Sequence, residues 1–209
     1  MAPKPARFTV FTTPVISTVL AWIFGLVLRV RGWRYDIDLP HPPRAVITVA
    51  PHTSYWDFPV LVGAAIANRI DARWIGTHRL FRGPGKWLFR WLGGIPVDRA
   101  RTNGLVDGAV EVFDEWDRLI LGIAPEGTRF PTDHWKSGFY RIADGAGVPI
   151  GMVKADYATK RIQVVSGFTP TGDLGEDMNR IRAFYDGVTA KRPEWWSEPR
   201  LKGEDRDPG

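Results

Sequence analysis

Cysteine is absent from the 209-residue sequence. Its absence excludes disulfides, thiolate metal ligands and cysteine nucleophiles, and with them the class of disulfide-rich secreted proteins. The sequence also lacks the Gly-x-Ser-x-Gly nucleophile elbow of serine hydrolases and the glycine spacing of a phosphate-binding P-loop. The four histidines show no ligand pairing, so we expect no metal site. Serine-nucleophile hydrolysis, P-loop phosphoryl transfer and metal catalysis are therefore not favoured.

Hydrophobic residues make up 44% of the chain and charged residues 24%, as in ordinary globular proteins. A chain of this length is typical of one domain with a core of its own. Its formal net charge of +5 favours an anionic partner, such as a phosphorylated substrate, nucleic acid or an anionic membrane. We do not expect nucleic acid, because the aromatic residues lie on apolar segments rather than in an RNA-binding signature.

Ten tryptophans, several of them next to arginine, indicate contact with a membrane interface. The most apolar stretch covers residues 14–28, and arginines follow it at 29, 31 and 34. Fifteen helical residues span about 22 Å, short of the roughly 30 Å hydrocarbon core. We therefore predict a helix lying in one leaflet, and a monotopic protein on the cytoplasmic face of the cell membrane. A buried helix of the fold and a true membrane span are the alternatives.

Strand-like and helix-like segments alternate through the rest of the sequence. The predicted strands cover 45–50, 73–76, 119–124, 149–155 and 161–165. The predicted helices cover 57–68, 86–92, 104–116, 137–145 and 177–185. This alternation predicts an α/β fold, with a mixed, mostly parallel sheet flanked by helices. We divide the chain into an N-terminal tail and membrane-interfacial helix (1–34), a central domain (35–190) and a loose polar tail (191–209).

His52 and Asp57 follow the first predicted strand in the segment Pro-His-Thr-Ser-Tyr-Trp-Asp. Ligands of open α/β sheets bind beyond the carboxyl ends of the strands, so His52 is placed where chemistry usually occurs. Across a loop and the first helical turn, the Asp57 carboxylate can reach the second imidazole nitrogen, fix its tautomer and raise its basicity. Alternatively, Ser54-x-x-Asp57 is a capping-box pattern, in which Asp57 only caps the helix.

Two further blocks combine acidic and basic residues near glycine. Asp98-Arg99 follows Gly-Gly-Ile-Pro-Val, and its arginine offers a planar fork for phosphate, although a surface ion pair in a turn is the simpler interpretation. The block Glu126-Gly-Thr-Arg129 directly follows the buried strand at 119–124. Its glycine permits close backbone approach, its threonine supplies a hydroxyl and its arginine a second fork. A turn with an ion pair is again the alternative.

The order and spacing of these three blocks resemble the glycerolipid acyltransferases, the family of lysophosphatidic acid (1-acylglycerol-3-phosphate) and glycerol-3-phosphate acyltransferases. The resemblance covers residues 45–157. Within this range it includes Trp-Lys-Ser-Gly-Phe at 135–139 and Val-Pro-Ile at 148–150. It implies that His52 is the general base and that Asp57 orients it. It further implies that the freed alkoxide attacks an acyl thioester, acyl-CoA or acyl-ACP, with no acyl-enzyme and no cofactor beyond that cosubstrate.

The resemblance also assigns the residues that hold the polar head of the acceptor: Arg99, Glu126, Gly127, Thr128 and Arg129. The acceptor implied first is a lysophospholipid in the membrane, 1-acylglycerol-3-phosphate, which gives phosphatidic acid. Two departures from the family pattern bear on the acceptor pocket: Thr77 stands where lysine is frequent, and Pro96 where aromatic residues are common. A glycolipid or lyso-ornithine lipid acceptor is therefore an alternative, as is a non-catalytic lipid-binding relative. The oligomeric state is left open.

Overall fold

A seven-stranded sheet forms the centre of the protein. The computed structural model describes residues 8–41, 43–97, 102–202 and 204. The strands are β1 (Arg34–Ile37), β2 (Arg44–Val49), β3 (Ala72–Thr77), β4 (Gly94–Val97), β5 (Leu119–Ile123), β6 (Ile150–Asp156) and β7 (Arg161–Phe168). Their order is β1-β7-β6-β2-β5-β3-β4, and every neighbouring pair is parallel except β6 and β7. The predicted mixed, mostly parallel sheet is confirmed.

Helices cover both faces of the sheet. They are α1 (Pro14–Val30), α2 (Asp57–Ala67), α3 (Lys86–Trp91), α4 (Thr102–Glu115), α5 (Gly138–Gly145) and α6 (Leu174–Tyr185). Successive side chains of a strand point to opposite faces. Val46 of β2 accordingly packs in the core under α4, α5 and α6, whereas Ile47 packs with residues of α1 and α2. Because helices bury both of its faces, β2 reads as a continuous apolar run.

The two strands that the sequence patterns did not predict, β1 and β4, lie at the two edges of the sheet. Strand β4 contains Pro96, which pairs with Gly76 of β3 on one side only. Proline cannot donate to a ladder, so an edge strand is where the sheet tolerates it. Strand β1 is four residues long and half exposed, so it carries no long apolar pattern.

Helix α1 lies against α2, and its other face is exposed. A Cβ added at Gly63 of α2 would lie 2.7 Å from Cδ1 of Phe24, so glycine allows the two helices to approach closely. Ala21 and Leu28 of α1 are buried in the core. None of the helices in the described ranges combines the length and the hydrophobicity that a membrane span requires. Whether α1 lies on a membrane stays a prediction.

The segment that follows α6 packs onto the domain. Backbone N–H of Trp135 donates to the Arg200 carbonyl at 2.7 Å, and its indole Nε1–H donates to the Ser197 carbonyl at 3.1 Å. Leu201 and Ser197 are buried. The prediction of a loose tail is therefore wrong for residues 192–202, because a few apolar residues among the prolines and charges find places in the core.

Candidate active site

The candidate site lies at the carboxyl ends of three neighbouring parallel strands, β6, β2 and β5. His52 lies three residues after β2, Glu126 three residues after β5, and Tyr157 directly after β6. Parallel strands bring their carboxyl ends to the same edge, so residues far apart in sequence meet there. The structure thus brings together His52, Asp57 and Glu126, and adds Tyr157.

The His52 imidazole faces the Asp57 carboxylate. Nδ1 of His52 lies 3.9 Å from Oδ2 of Asp57, longer than a hydrogen bond. Nδ1 is buried and has no hydrogen-bond partner among the described residues. Closing the gap by about 1 Å would give a bond of ordinary length, a tightening that acid–base pairs commonly undergo when substrate binds. The other ring nitrogen, Nε2, is left for a reacting group.

The Asp57 carboxylate is held from two sides. Oδ2 accepts the backbone N–H of Ser54 at 2.7 Å, and Oδ1 accepts the phenol hydroxyl of Tyr157 at 2.7 Å. Helix α2 begins at Asp57, and its N-cap Trp56 makes no side-chain capping hydrogen bond. The Ser54–Asp57 bond therefore closes the turn before the helix, and the capping-box interpretation is wrong. The other interpretation is consistent with the structure, because Oδ2 also faces His52.

Glu126 ties the end of β5 to the histidine loop. Its Oε1 accepts the backbone N–H of His52 at 3.1 Å. Its Oε2 is buried and lacks a partner in the part of the chain that the structure describes. Burial, supported by the nearby charge of Asp57, raises the pKa of Glu126 to about 8. Glu126 is therefore mostly protonated at pH 7, and can donate a hydrogen bond as well as accept one.

Burial also shifts the pKa values of His52 and Asp57. Burial lowers the pKa of His52 to about 4, with a further contribution from the positive charge of Arg129. The imidazole is neutral at pH 7, but it is a weak base while the gap between Nδ1 and Asp57 stays open, so the predicted rise in basicity is absent from this arrangement. Burial raises the pKa of Asp57, while the hydrogen bond from Tyr157 and the charge of Arg129 act in the opposite direction.

The rest of the third block forms the rim of the site. Gly127 has φ +68°, which favours glycine, in a turn closed by its N–H on the Ala124 carbonyl at 3.1 Å. Oγ1 of Thr128 accepts the backbone N–H of Phe130 at 3.2 Å. The guanidinium carbon of Arg129 lies 4.2 Å from the ring centroid of an exposed tyrosine, Tyr55. The cation is thus stacked at the solvent edge of the site.

The sequence patterns missed two contributions to the site. Tyr157 lies between the predicted strands 149–155 and 161–165, and only the position of β6 beside β2 reveals that it reaches Asp57. The segment after α6 also returns to the site, because the Arg192 N–H donates to Oγ1 of Thr53 at 3.2 Å. Arg99 lies outside the described residues. Across the described ranges, no group of three histidine or acidic side chains could hold a metal.

The fold and the site together define an α/β protein with a histidine facing a buried aspartate at the carboxyl ends of its parallel strands, the place where open α/β sheets bind ligands. A family model for the acyltransferases matches residues 37–153, more than half of the chain. The chain therefore belongs to the acyltransferase family and is an O-acyltransferase, which confirms the resemblance noted in its sequence.

A solved structure supports the same fold. It is the 1-acyl-sn-glycerophosphate (LPA) acyltransferase PlsC from Thermotoga maritima, with 18% sequence identity and a TM-score of 0.50. The match covers 84% of this chain and 82% of that one. No match was found among the curated proteins.

Proposed function

We propose that the enzyme transfers a fatty acyl group from acyl-CoA or acyl-ACP to the hydroxyl of a lysophospholipid. The acceptor proposed first is 1-acylglycerol-3-phosphate, which gives phosphatidic acid. The observation that carries this proposal is a neutral, partly exposed His52 at the end of the central strand, facing a buried Asp57 at 3.9 Å. The match to the solved structure of an LPA acyltransferase supports the choice of acceptor.

The reaction follows from the two ring nitrogens. Nε2 of His52 takes the proton of the acceptor hydroxyl, while Nδ1 turns towards Asp57. The acceptor oxygen attacks the thioester carbonyl, the carbon–sulfur bond breaks, and the imidazolium returns its proton to the leaving thiolate. The products are an ester and a free thiol. Asp57 stabilises the imidazolium that exists between the two proton transfers.

The acceptor head is held by the residues around Glu126. Arg129 presents a guanidinium to a phosphate, and the Gly127 turn allows the head to approach the backbone. A protonated Glu126 donates to an anionic oxygen, whereas an ionised one would repel it. Thr128 and Arg99 complete the proposed set.

The direct test measures thiol release from palmitoyl-CoA with and without lysophosphatidic acid, and follows the lipid product by mass. We expect release that depends on the acceptor, with phosphatidic acid as product. Transfer to a glycolipid or lyso-ornithine lipid instead would retain the reaction and change the substrate. Release without acceptor would contradict acyl transfer to a lipid. Binding to lipid with no release from CoA or ACP donors would favour a non-catalytic lipid-binding protein.

We also propose that the exposed face of α1 holds the enzyme on the cytoplasmic surface of the cell membrane. The large exposed apolar side chains of α1 are Val15, Ile16, Val19, Trp22, Ile23, Leu26, Val27 and Val30. They recur at helical spacing, as in a helix that lies in a membrane interface. The first 35 residues contain five basic and no acidic side chains, which favours an anionic lipid surface.

The membrane proposal predicts weaker vesicle binding for the double variant Trp22→Ser/Leu26→Ser. Each side chain contributes about 1.5 kcal/mol on burial in lipid, so we expect about 100-fold weaker binding to vesicles that contain anionic phospholipid. Both side chains are exposed, at 76% and 63%, so the fold should be unaffected. Removing the whole helix would be a poor test, because Ala21 and Leu28 belong to the core.

Co-sedimentation with vesicles measures the effect, and thermal unfolding checks the fold. Ala183→Ser, an exposed change on α6, is the control and should bind as the wild type does. Equal sedimentation of the double variant and the wild type would contradict the proposed membrane surface.

A further inference from the structure

Tyr157 lies beyond the end of the matched family region at residue 153, yet it contacts the centre of the site. Its hydroxyl donates to Oδ1 of Asp57 at 2.7 Å, across 100 positions of sequence. The phenol ring packs nearly perpendicular to the ring of Trp33, with ring centroids 5.2 Å apart. Its backbone N–H donates to the Thr189 carbonyl at 2.9 Å. The side chain is therefore held in place by segments on both sides.

The two oxygens of the Asp57 carboxylate accept hydrogen bonds from different donors. Oδ1 accepts from Tyr157, while Oδ2 accepts from the Ser54 N–H and faces His52. Two fixed donors, one on each oxygen, leave the buried carboxylate one orientation. That orientation is the one in which Oδ2 can meet Nδ1 of His52 when the gap closes.

We propose that Tyr157 is a positioning residue of the acyl-transfer reaction, whose hydroxyl keeps Asp57 oriented and ionised so that Asp57 can support His52. The inference rests on the proposed function of His52 and Asp57. It adds a third group, delivered by β6, to the pair delivered by β2 and α2. A buried carboxylate that lost this donor would be more readily protonated, and a protonated Asp57 would no longer stabilise an imidazolium.

The charges around Asp57 set the direction of the pH effect. His52, Glu126 and Arg129 face it from the loops after β2 and β5. The ammonium of Lys191 lies 5.4 Å from the Tyr157 ring centroid. Burial raises the pKa of Asp57 and the Tyr157 bond lowers it, so removing the hydroxyl raises that pKa further. Burial also raises the pKa of Tyr157, which therefore stays a donor through the pH range of the assay.

The variant Tyr157→Phe removes only the hydroxyl. We expect kcat to fall about tenfold to 100-fold, with little change in KM for the thioester, because a hydrogen bond to a charged group is lost away from the substrate. We also expect the acid limb of the profile of kcat/KM against pH to move to higher pH. Tyr35→Phe is the matched control, because the buried Tyr35 hydroxyl has no partner among the described residues. It should behave as the wild type.

A double-variant cycle then tests whether Tyr157 acts through Asp57. In the Asp57→Asn background, adding Tyr157→Phe should change single-turnover product formation by less than about threefold, because the group through which it acts is already altered. Additive losses would overturn the proposal, as would wild-type kcat and an unshifted pH profile in Tyr157→Phe alone. Full activity in Asp57→Asn or His52→Ala would instead overturn the proposed function, so the two failures are distinguishable.

Discussion

The variant His52→Ala is expected to lose acyl transfer by about 10³-fold while keeping its fold and its binding to vesicles. The methyl group of alanine cannot take the proton of the acceptor hydroxyl, and an un-ionised hydroxyl is a poor nucleophile towards a thioester. The fold should survive because the backbone N–H of residue 52, which donates to Glu126, remains. The imidazole itself is partly exposed and its Nδ1 makes no hydrogen bond within the described structure.

Transfer is measured as acceptor-dependent thiol release together with the mass of the lipid product. His41→Ala is the matched control, because His41 is exposed and precedes β2, at the opposite end of the strand from His52. It should retain wild-type transfer. Wild-type rates in His52→Ala would show that another group activates the hydroxyl, and the proposed reaction would then be wrong.

The central part of the site was open to prediction because it depends on local patterns. The apolar runs that became β2 and β5 are recognisable in sequence, and the rule about strand ends places His52 and Glu126 at one edge without any knowledge of strand order. The apolar helical pattern that begins at residue 57 likewise places Asp57 in the first turn of α2, five residues after the histidine. Each of these inferences uses residues within a single strand and the loop that follows it.

The remaining parts depend on contacts between distant segments. Tyr157 reaches Asp57 only because β6 lies beside β2, and no pattern within 150–157 specifies that neighbour. The packing of residues 192–202 depends similarly on Trp135, whose backbone N–H and indole N–H donate to carbonyl groups of that segment. An edge strand such as β4 is hard to predict from sequence. It has one neighbouring strand and only four residues, so its apolar pattern is short.

Substitutions of Glu126 are expected to have the second large effect on acyl transfer. Comparing alanine with glutamine at this position distinguishes a neutral acid from an ionised carboxylate. Glu126→Ala is expected to lower kcat/KM by about 10²- to 10³-fold, because it removes the proposed donor to the acceptor head and leaves the His52 N–H without its acceptor. Glu126→Gln keeps one acceptor oxygen and supplies N–H donors. We expect it to lose less than about tenfold, as a mimic of the protonated acid.

Stability against pH tests the protonation of Glu126 without any substrate. Its folded pKa is about 8 and its ordinary value 4.5, so between these pH values the folded protein holds a proton that the unfolded chain has released. The free energy of unfolding then falls as pH rises, by up to about 1.4 kcal/mol per pH unit. His52 acts in the opposite direction, but only between about 4 and 6.5, its folded and ordinary pKa values. The window from pH 6.5 to 8 therefore lies above the titration range of His52, and the Glu126→Gln variant separates the contribution of Glu126 from that of Asp57, whose pKa is also raised by burial.

Denaturant unfolding at several pH values in that window measures the slope directly. The wild type should lose stability from pH 6.5 to 8, and Glu126→Gln should show a flat dependence, since its side chain has no proton to release. Equal slopes in the two proteins would contradict a protonated Glu126. A flat slope together with nearly retained transfer in Glu126→Gln would show that the neutral side chain serves the reaction. The end of β5 that places Glu126 against His52 also buries its carboxyl group, and this burial raises the Glu126 pKa although the hydrogen bond from the His52 N–H acts in the opposite direction.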